Sequence, residues 1–587
     1  MMWTMGITPE MLSLAITCLI HKKGPTDDIR NYRPITLLNT LHKIWERVLE
    51  QRLRKIVHTM HAQMGSKPDN SATTATMMKR SLYRLARLLD MDIHSLQIDL
   101  SKAYNRVDRH ILWNKLAKLG VKGKLWSAII STYANAQDQI RIGQRYSDPF
   151  HLKFGLRQGS ILSPILFIIY VNDLILALEE TNTGAHGSAD DMTLKVASIM
   201  FVDDIETYTH NMEDIKTQFD TAIQFARTHR AVLNIIKSTI TSSKGSTAAQ
   251  AMKNKTGIDL KVQSTTTQLG TRINAKEMRY PDKKRPSTDV STRCGITNSM
   301  TATMTARGLK AGDMTLPDMS KVLKSITAPT LTFGLASTDL TRTDKHNLRQ
   351  TMANTTVPVL GMKAGTDPTN TWAMLEIGVT DPVDQITITD WTTVIKMMQG
   401  KSNPLARKVI AADSTLKTAL EKVKNLWKFT PKNLARIPSK QRNTWLQAKA
   451  RTHRLQQTNG THFNPNGTPV WLNSSLTHQH ITLLVQYRCL RAQGRLSTVK
   501  HCVLCNTTNI EQPTITHYLH YCHRGAEVTG DTERHNALKP SDQTDWASLD
   551  EAAISELCAH PQRREYLLTL ALDTLHHCKL FETDFIT

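Results

Sequence analysis

Cysteine is scarce in this chain of 587 residues, which contains eight, at positions 18, 294, 489, 502, 505, 522, 558 and 578. Only three of them stand close together beside a histidine, so the spacing argues against the disulfide framework of a secreted protein. Long apolar runs are also lacking, because MLSLAITCLI near the start is about half of what a membrane-spanning helix needs. The sequence therefore predicts an intracellular protein with no transmembrane segment.

Acidic residues are too few to balance the basic ones. The 74 Lys and Arg against 51 Asp and Glu give a formal net charge of +23. This excess suits a polyanionic partner better than an acidic small molecule, with nucleic acid as the first candidate and a membrane surface as the second. The length exceeds one hydrophobic core and predicts roughly three to four domains.

One apolar segment is interrupted by two adjacent carboxylates. VASIMFVDDIETYT, residues 196–209, has β-branched and aromatic residues on both sides of Asp203 and Asp204. This pattern predicts two strands with the acidic pair at the hairpin tip. An ordinary acidic turn is the alternative, and Asp190-Asp191 in GSADDMTLK illustrates one, since no apolar strand leads into it.

A third carboxylate strengthens the functional interpretation. In SLQIDLSKAYNRV, residues 95–107, an apolar strand ends on Asp99. Two strands that each present a carboxylate from one end can face each other in one sheet. Such carboxylates can hold two divalent cations about 3.5–4 Å apart, the arrangement used for in-line phosphoryl transfer. Mg²⁺ suits oxygen ligands of this kind.

Four ordered blocks carry a resemblance to a known family. IDLSKAYNRV, GLRQGSILSPILFIIYVNDL, FVDD and LNIIKST have the order and spacing of the palm motifs of reverse transcriptases, and they resemble those of non-LTR, LINE-type retrotransposons. The stretch LIHKKGPTDDIRNYRPITLLNTLHKIWERVLEQRL resembles the fingers motif, and TTTQLGTRI resembles the element before the thumb. The resemblance covers residues 15–275. It implies an α+β right-hand polymerase, with fingers and an antiparallel palm sheet, that extends a DNA primer on an RNA template with dNTPs.

The resemblance also assigns roles to individual residues. Asp99, Asp203 and Asp204 would be the catalytic ligands of two Mg²⁺ ions. Lys22 and Arg33 would bind the triphosphate, and Tyr104 under the sugar would block a 2′-hydroxyl. Gln158 and Gly159 would contact the nucleotide and template, and Lys237 would protonate the pyrophosphate. Surface charge, a core tyrosine and a plain glycine turn are the simpler alternatives.

Three positions depart from the family pattern. Asn105 stands where Asp is usual, which puts a structural hydrogen bond in doubt. Val202 replaces a usual Ala beside the predicted metals, and its bulk could alter the fit of the nucleotide. Ser66 stands where the fingers usually have an aromatic residue. None of these departures removes a predicted metal ligand.

The cysteine cluster predicts a zinc site. CVLCNTTNIEQPTITHYLHYC contains a Cys-x2-Cys pair followed by His-x4-Cys, a spacing that closes a tetrahedral structural site. The predicted ligands are Cys502, Cys505, His517 and Cys522. The alternatives are another histidine ligand, from His501, His520 or His523, or free thiols. The stretch also resembles the CCHC zinc knuckle that follows the thumb in LINE-type proteins.

Breaks in composition at RYPDKKRPSTD and QQTNGTHFNPNGTP, together with the resemblance, predict the domain order. Fingers and palm occupy residues 1–275, a helical thumb 276–400, a basic helical connector 401–484, the zinc knuckle 485–530 and a helical tail 531–587. We find no stretch that resembles the endonuclease of such elements. The resemblance implies action in the nucleus.

Two other functions remain open from the sequence. The first is a catalytically silent, nucleic-acid-binding remnant that retains the basic surface and the knuckle. The second is a palm polymerase that copies RNA into RNA, against which Tyr104 argues.

Overall fold

The computed structural model describes residues 2–457 with the exception of 23, 69, 246, 248–249, 251–259, 280–283, 309–315, 360–373, 375–376 and 401–402. The chain divides into two compact units, residues 1–281 with 396–418 and residues 282–395 with 419–587. The predicted knuckle and tail lie outside the described residues. Within the described ranges, no helix has both the length and the apolar character needed to cross a membrane.

The first unit combines strands and helices. Its strands are β1 (Leu14–His21), β2 (Tyr32–Leu37), β3 (His94–Ile98), β4 (Gln137–Ile142), β5 (Arg145–Tyr146), β6 (Phe150–His151), β7 (Ala185–His186), β8 (Lys195–Val196), β9 (Ser198–Phe201), β10 (Asp204–Thr209), β11 (Thr239–Ser242), β12 (Lys261–Val262), β13 (Thr265–Gln268) and β14 (Thr271–Asn274). Its helices up to residue 281 are α1 (Met2–Met5), α2 (Thr40–Ile56), α3 (Ala72–Leu88), α4 (Arg109–Lys118), α5 (Gly123–Ala134), α6 (Ser163–Glu180), α7 (Asp214–Thr228) and α8 (Ala275–Arg279).

Two larger sheets organise this unit. The first has the order β2-β1-β4-β5, with β6 also beside β4, and β1 is antiparallel to β2 but parallel to β4. The second has the order β12-β11-β3-β10-β9. Its strands β11, β3, β10 and β9 are antiparallel, as predicted for a palm, and β12 joins the edge in parallel. The α+β class predicted from the sequence is confirmed.

Helix α6 forms the centre of the core. Pro164 stands in its first turn, where the fixed φ of proline suits a helix start. The sequence that follows is apolar almost without interruption, and a helix that is apolar all round is expected to be buried all round. Accordingly α6 packs against α4, α7 and β9, with residues such as Phe167, Val171 and Leu174 fully buried.

The second unit is helical in its described part. Its helices are α9 (Thr288–Ala306), α10 (Leu316–Val322), α11 (Ala328–Thr332), α12 (Arg342–Val359) and α13 (Pro382–Met398), the last of which continues beyond Ile395 into the segment assigned to the first unit. Threonine-rich helices can be buried here because hydroxyls donate to the carbonyl four residues earlier, as Thr389 does to Gln385 and Thr393 to Thr389. The boundaries of the predicted thumb stay a prediction.

The chain then returns to the first unit, and the last helices that the structure describes belong to the second. The elements are α14 (Pro404–Ala412), α15 (Ser414–Leu426), α16 (Pro431–Arg436) and α17 (Ser439–Gln457). Helix α14 packs on α3, and the residue after it, Asp413, accepts hydrogen bonds from buried Ser81 at 2.8 Å and Arg84 at 2.7 Å. Residues more than 300 positions apart therefore complete one buried network.

Candidate active site

The three predicted carboxylates lie at adjoining ends of β3 and β10. Ile98 is opposite Ile205 in this antiparallel pair, so the next positions in register are Asp99 and Asp204. Directly opposite residues have Cα atoms about 4.5–5.5 Å apart. Phe201 and Asp204 pair and close a two-residue loop, which consists of Val202 and Asp203. The structure thus brings all three acidic residues to one end of the sheet, and the predicted hairpin is confirmed.

The hairpin tip has a strained backbone. Val202, the first loop residue, has φ of +61°, a conformation normally taken by glycine in such a loop and costly for a β-branched residue. The side chain of Gln63 holds this conformation. Its Oε1 accepts from the N–H of Val202 at 2.8 Å, and its Nε2 donates to the Val202 carbonyl at 3.2 Å.

A neighbouring glycine lets this clamp approach the tip. The same Oε1 of Gln63 also accepts from the N–H of Gly65 at 2.9 Å. A Cβ on Gly65 would lie 2.5 Å from the backbone nitrogen of Val202, too close for any side chain. Sequence reasoning did not identify Gln63 or Gly65 as parts of the site. The local signal was the glutamine and glycine in AQMGS, which by themselves specify no partner.

The LNIIKST segment surrounds Asp99. The N–H of Asn234 donates to the Asp99 carbonyl at 2.8 Å, and Ser238 Oγ accepts from the Asp99 N–H at 3.1 Å. Lys237 Nζ lies 4.0 Å from Asp99 Oδ2, with both side chains open to solvent. The predicted lysine is therefore placed beside a predicted metal ligand.

Burial first, and then neighbouring charge, raises the pKa values of the two hairpin carboxyls. Both side chains reach solvent, yet the protein around them displaces much of their water, and this is the largest cause of the rise. For Asp204 the pKa is raised to about 6, with further contributions from Asp203, Asp99 and Glu206. For Asp203 the rise also comes from Asp99 and is opposed by Arg33 and Lys22. The site holds an excess of negative charge that a cation would relieve.

Lys22 and Arg33 face the same space from the other large sheet. Arg33 is opposite Ile20 in the β1–β2 pair, and the N–H of Lys22 donates to the Asn31 carbonyl at 2.8 Å. The pKa of Lys22 is lowered by surrounding protein and then by Arg33 and Lys237, while Asp99 and Asp203 raise it. Positive and negative groups thus lie on two sides of one space.

The GLRQGS segment lies against β2. The Gln158 carbonyl accepts from the N–H of Thr36 at 2.6 Å. A Cβ on Gly159, whose φ is +128°, would come within 2.2 Å of the Thr36 carbonyl oxygen, so only glycine fits. The Gln158 side-chain oxygen is buried without a hydrogen bond to any described residue. A Cβ on Gly155 would lie 2.6 Å from the Asn105 carbonyl oxygen, and because this contact is with backbone it does not depend on the side chain at position 105.

Tyr104 is half-buried under the site. Its ring stacks on Phe167 with centroids 4.8 Å apart and an interplanar angle of 8°. Burial raises the pKa of its hydroxyl, and Asp203 contributes to the rise. The ring therefore belongs partly to the core and partly to the space beside the carboxylates.

A ready-made metal cage is not found in the described part of the chain, where no three His, Cys, Asp or Glu side chains are arranged to hold an ion. Mg²⁺ is usually held by one or two carboxylates together with substrate phosphates and waters. The donor set of Asp99, Asp203 and Asp204 and its excess negative charge fit such an ion.

Comparison with known proteins supports the sequence prediction. Residues 20–280 match the family model for reverse transcriptase (RNA-dependent DNA polymerase). A probable RNA-directed DNA polymerase from transposon BS of Drosophila melanogaster is 29% identical over 172 residues, 28% of this chain and 19% of that protein. A Pol polyprotein from a type-1 retrotransposable element R2 of Popillia japonica is 25% identical over 234 residues, 40% of this chain and 32% of that protein.

A solved structure of telomerase from Candida albicans with a TWJ fragment of telomeric RNA matches at 11% identity and a TM-score of 0.36, covering 75% of this chain and 66% of that one. The prediction of a reverse transcriptase domain with relatives in retrotransposons is confirmed for residues 20–280. The chain spans only about a fifth to a third of the length of the two transposon proteins.

Proposed function

We propose that this chain is the RNA-directed DNA polymerase of a non-LTR retrotransposon and extends a DNA primer on an RNA template. The observation that carries the proposal is the register that sets Asp99 opposite Asp204, with Asp203 in the adjoining loop. Lys22 and Arg33 are close enough to the carboxylates for their charges to interact, as binding of a triphosphate beside the cations would require. The formal net charge of +23 suits both nucleic-acid strands.

Each side chain has a role in this mechanism. Asp99, Asp203 and Asp204 would hold two Mg²⁺ ions, which when bound supply activation of the 3′-hydroxyl and stabilisation of the leaving pyrophosphate. Lys22 and Arg33 bind the triphosphate, Arg33 by paired hydrogen bonds. Lys237, within reach of Asp99, supplies a proton to the pyrophosphate. Gln158 contacts the nucleotide and template through its side-chain amide.

Primer extension by the full chain tests the proposal, with deoxy- and ribonucleotides compared in parallel. We expect wild type to prefer deoxynucleotides, because the Tyr104 ring fills the space that a 2′-hydroxyl would need. Tyr104→Ala should lower this preference by about 10- to 200-fold, the range for one unfilled group in a pocket. Tyr104→Phe retains the ring and should keep the preference.

Two results would identify a different function. Equal use of both nucleotides by wild type would identify an RNA polymerase. Binding of primer–template without any extension would identify a silent remnant.

We also propose a structural zinc in the knuckle formed by Cys502, Cys505, His517 and Cys522, which supports nucleic-acid binding. This site lies outside the described residues, and its support is the spacing of the four ligands together with the resemblance to the CCHC knuckle. Metal analysis of the full chain should find one zinc per molecule, and Cys502→Ser should lose it. Cys558→Ser, outside the cluster, is the matched control. Unchanged zinc in Cys502→Ser would contradict the assignment.

Action in the nucleus is part of the proposal, because a retrotransposon enzyme of this kind would synthesise DNA from a chromosomal primer.

A further inference from the structure

The hairpin of β4 and β5 is an arm that stands open to solvent. Every residue from 141 to 151 is exposed, including Ile142 at 67% and Tyr146 at 52%. Arg141, Arg145 and Lys153 form no ion pair with any described residue. Arg157, which follows the arm, is instead buried and pairs with Asp138 at 3.0 Å. The arm therefore presents unpaired positive charge beside exposed apolar side chains.

The two faces of the arm carry chemically similar pairs. Arg141 is opposite Tyr146, and Ile142 is opposite Arg145. Directly opposite residues of an antiparallel pair point to the same face, and successive residues point to opposite faces. Each face thus has one arginine and one large apolar side chain.

Only the face with Arg141 and Tyr146 is continuous with the candidate active site. Cys18 is the register partner of Arg141 on one side and of Ile35 on the other. Arg33 lies two residues before Ile35, so it shares the face of Arg141 and Tyr146. From strand spacings of about 4.8 Å and a rise of about 3.3 Å per residue, Tyr146 lies about 14 Å across the sheet and about 7 Å along it from Arg33.

The opposite face of this sheet is closed. Thr17 donates to Asp138 at 2.9 Å and lies 3.1 Å from the Thr36 hydroxyl, with all three residues buried. On the open face, by contrast, Ile20 is 55% and Leu37 is 44% exposed. One face of the first sheet therefore packs into the unit, and the other presents Arg33, Arg141 and Tyr146 to solvent.

We propose that Arg141 and Tyr146 hold the single-stranded RNA template on its way to the position copied, an inference that rests on the proposed function. An aromatic ring beside an unpaired cation is the combination that binds single-stranded nucleic acid, through base stacking and phosphate contact. RNA is favoured over a second copy of the chain, because that copy would bring another +23 of formal charge to a positive surface.

The experiment compares the double variant Arg141→Ala/Tyr146→Ala with Ile142→Ala/Arg145→Ala, which removes the same kinds of groups from the other face. The probes are a primer–template with a template overhang of one nucleotide and another with an overhang of about ten. For Arg141→Ala/Tyr146→Ala we expect about tenfold or greater weakening of the Kd for the long overhang, as loss of one stacked base predicts, and a shallower dependence on salt. The short-overhang Kd and its rate of extension should stay unchanged. The other variant should resemble wild type with both probes.

Equal weakening by both double variants would overturn the proposal, since charge alone would explain it. Unchanged RNA affinity in Arg141→Ala/Tyr146→Ala would also overturn the proposal. If this variant changed only self-association, measured by sedimentation, the face would instead be a contact between copies of the chain. If wild type extends primers and Arg141→Ala/Tyr146→Ala binds the RNA overhang normally, only this inference is refuted. Wild type that binds the overhang through this face but never extends a primer refutes the proposed function alone.

Discussion

Asp204→Asn is expected to abolish primer extension, with a loss of three orders of magnitude or more. The substitution keeps the shape of the side chain and the backbone register with β3, but it removes one charged ligand of the predicted cations. Each tenfold in rate corresponds to about 1.4 kcal/mol, and a metal ligand contributes several kcal/mol of transition-state stabilisation. Asp99→Asn and Asp203→Asn should have effects of the same order. Single-turnover extension in Mg²⁺ measures the loss.

Binding and folding should survive the same substitution. Asp203, Asp99 and Glu206 repel the Asp204 carboxylate, so a neutral amide relieves repulsion, and the free energy of unfolding should not fall. Affinity for primer–template should change less than about threefold, because phosphate contacts from basic residues dominate it.

The matched control is Asp190→Asn, taken from another Asp-Asp pair; Asp190 is exposed in the turn between β7 and β8. Extension close to wild type in Asp204→Asn, or an equal loss in Asp190→Asn, would refute the metal-ligand assignment.

The carboxylates could be located from the sequence because the signals for them are local. An apolar run that ends at an acidic residue predicts a strand and its end, and the structure has β3 ending just before Asp99 and β9 ending just before the hairpin tip, after which β10 begins on Asp204. The antiparallel sheet that joins them could be predicted only from the resemblance, because neither segment by itself specifies its partner strand. The roles of Lys22, Arg33, Tyr104, Gln158, Gly159 and Lys237 stay predictions, although the structure places Lys22 and Lys237 near the carboxylates.

The contacts between distant segments that stabilise the site could not be predicted from the sequence. Gln63 clamps Val202 across 139 positions, and Asp413 reaches Ser81 across 332. Gln63, Ser81 and Asp413 are ordinary polar residues in their own segments, and only the folded chain brings them to their partners. The predicted connector at 401–484 gave no sign that residues 396–418 belong to the first unit. The strained Val202 shows the same limit, because the sequence shows the unusual valine but not its hydrogen bonds to Gln63, which stabilise its conformation.

A buried ion pair on the active-site strand is another contact of this kind. Glu206, two residues after Asp204, is fully buried and accepts from Lys79 Nζ of α3 at 2.5 Å and from the Thr266 hydroxyl at 2.9 Å. The nearby Tyr83 and Tyr208 have raised pKa values, caused first by burial and then by the Glu206 charge. Residues 204 and 206 point to the same face of β10, so this pair fixes the strand that carries the carboxylate.

Lys79→Met should therefore destabilise the first unit by about 3–5 kcal/mol, because it removes the cation that pairs with the fully buried Glu206 carboxylate. Hydrogen exchange of the β3 and β10 amides measures this locally, which suits a chain of two units that need not unfold together. Lys79→Met/Glu206→Met should recover most of the loss, since an apolar pair of similar volume carries no desolvation penalty. Lys216→Met, which breaks the exposed pair with Asp220, should cost less than about 1 kcal/mol. If the double variant is as unstable as Lys79→Met alone, the lost lysine contributes packing rather than charge pairing, and the electrostatic account of β10 fails.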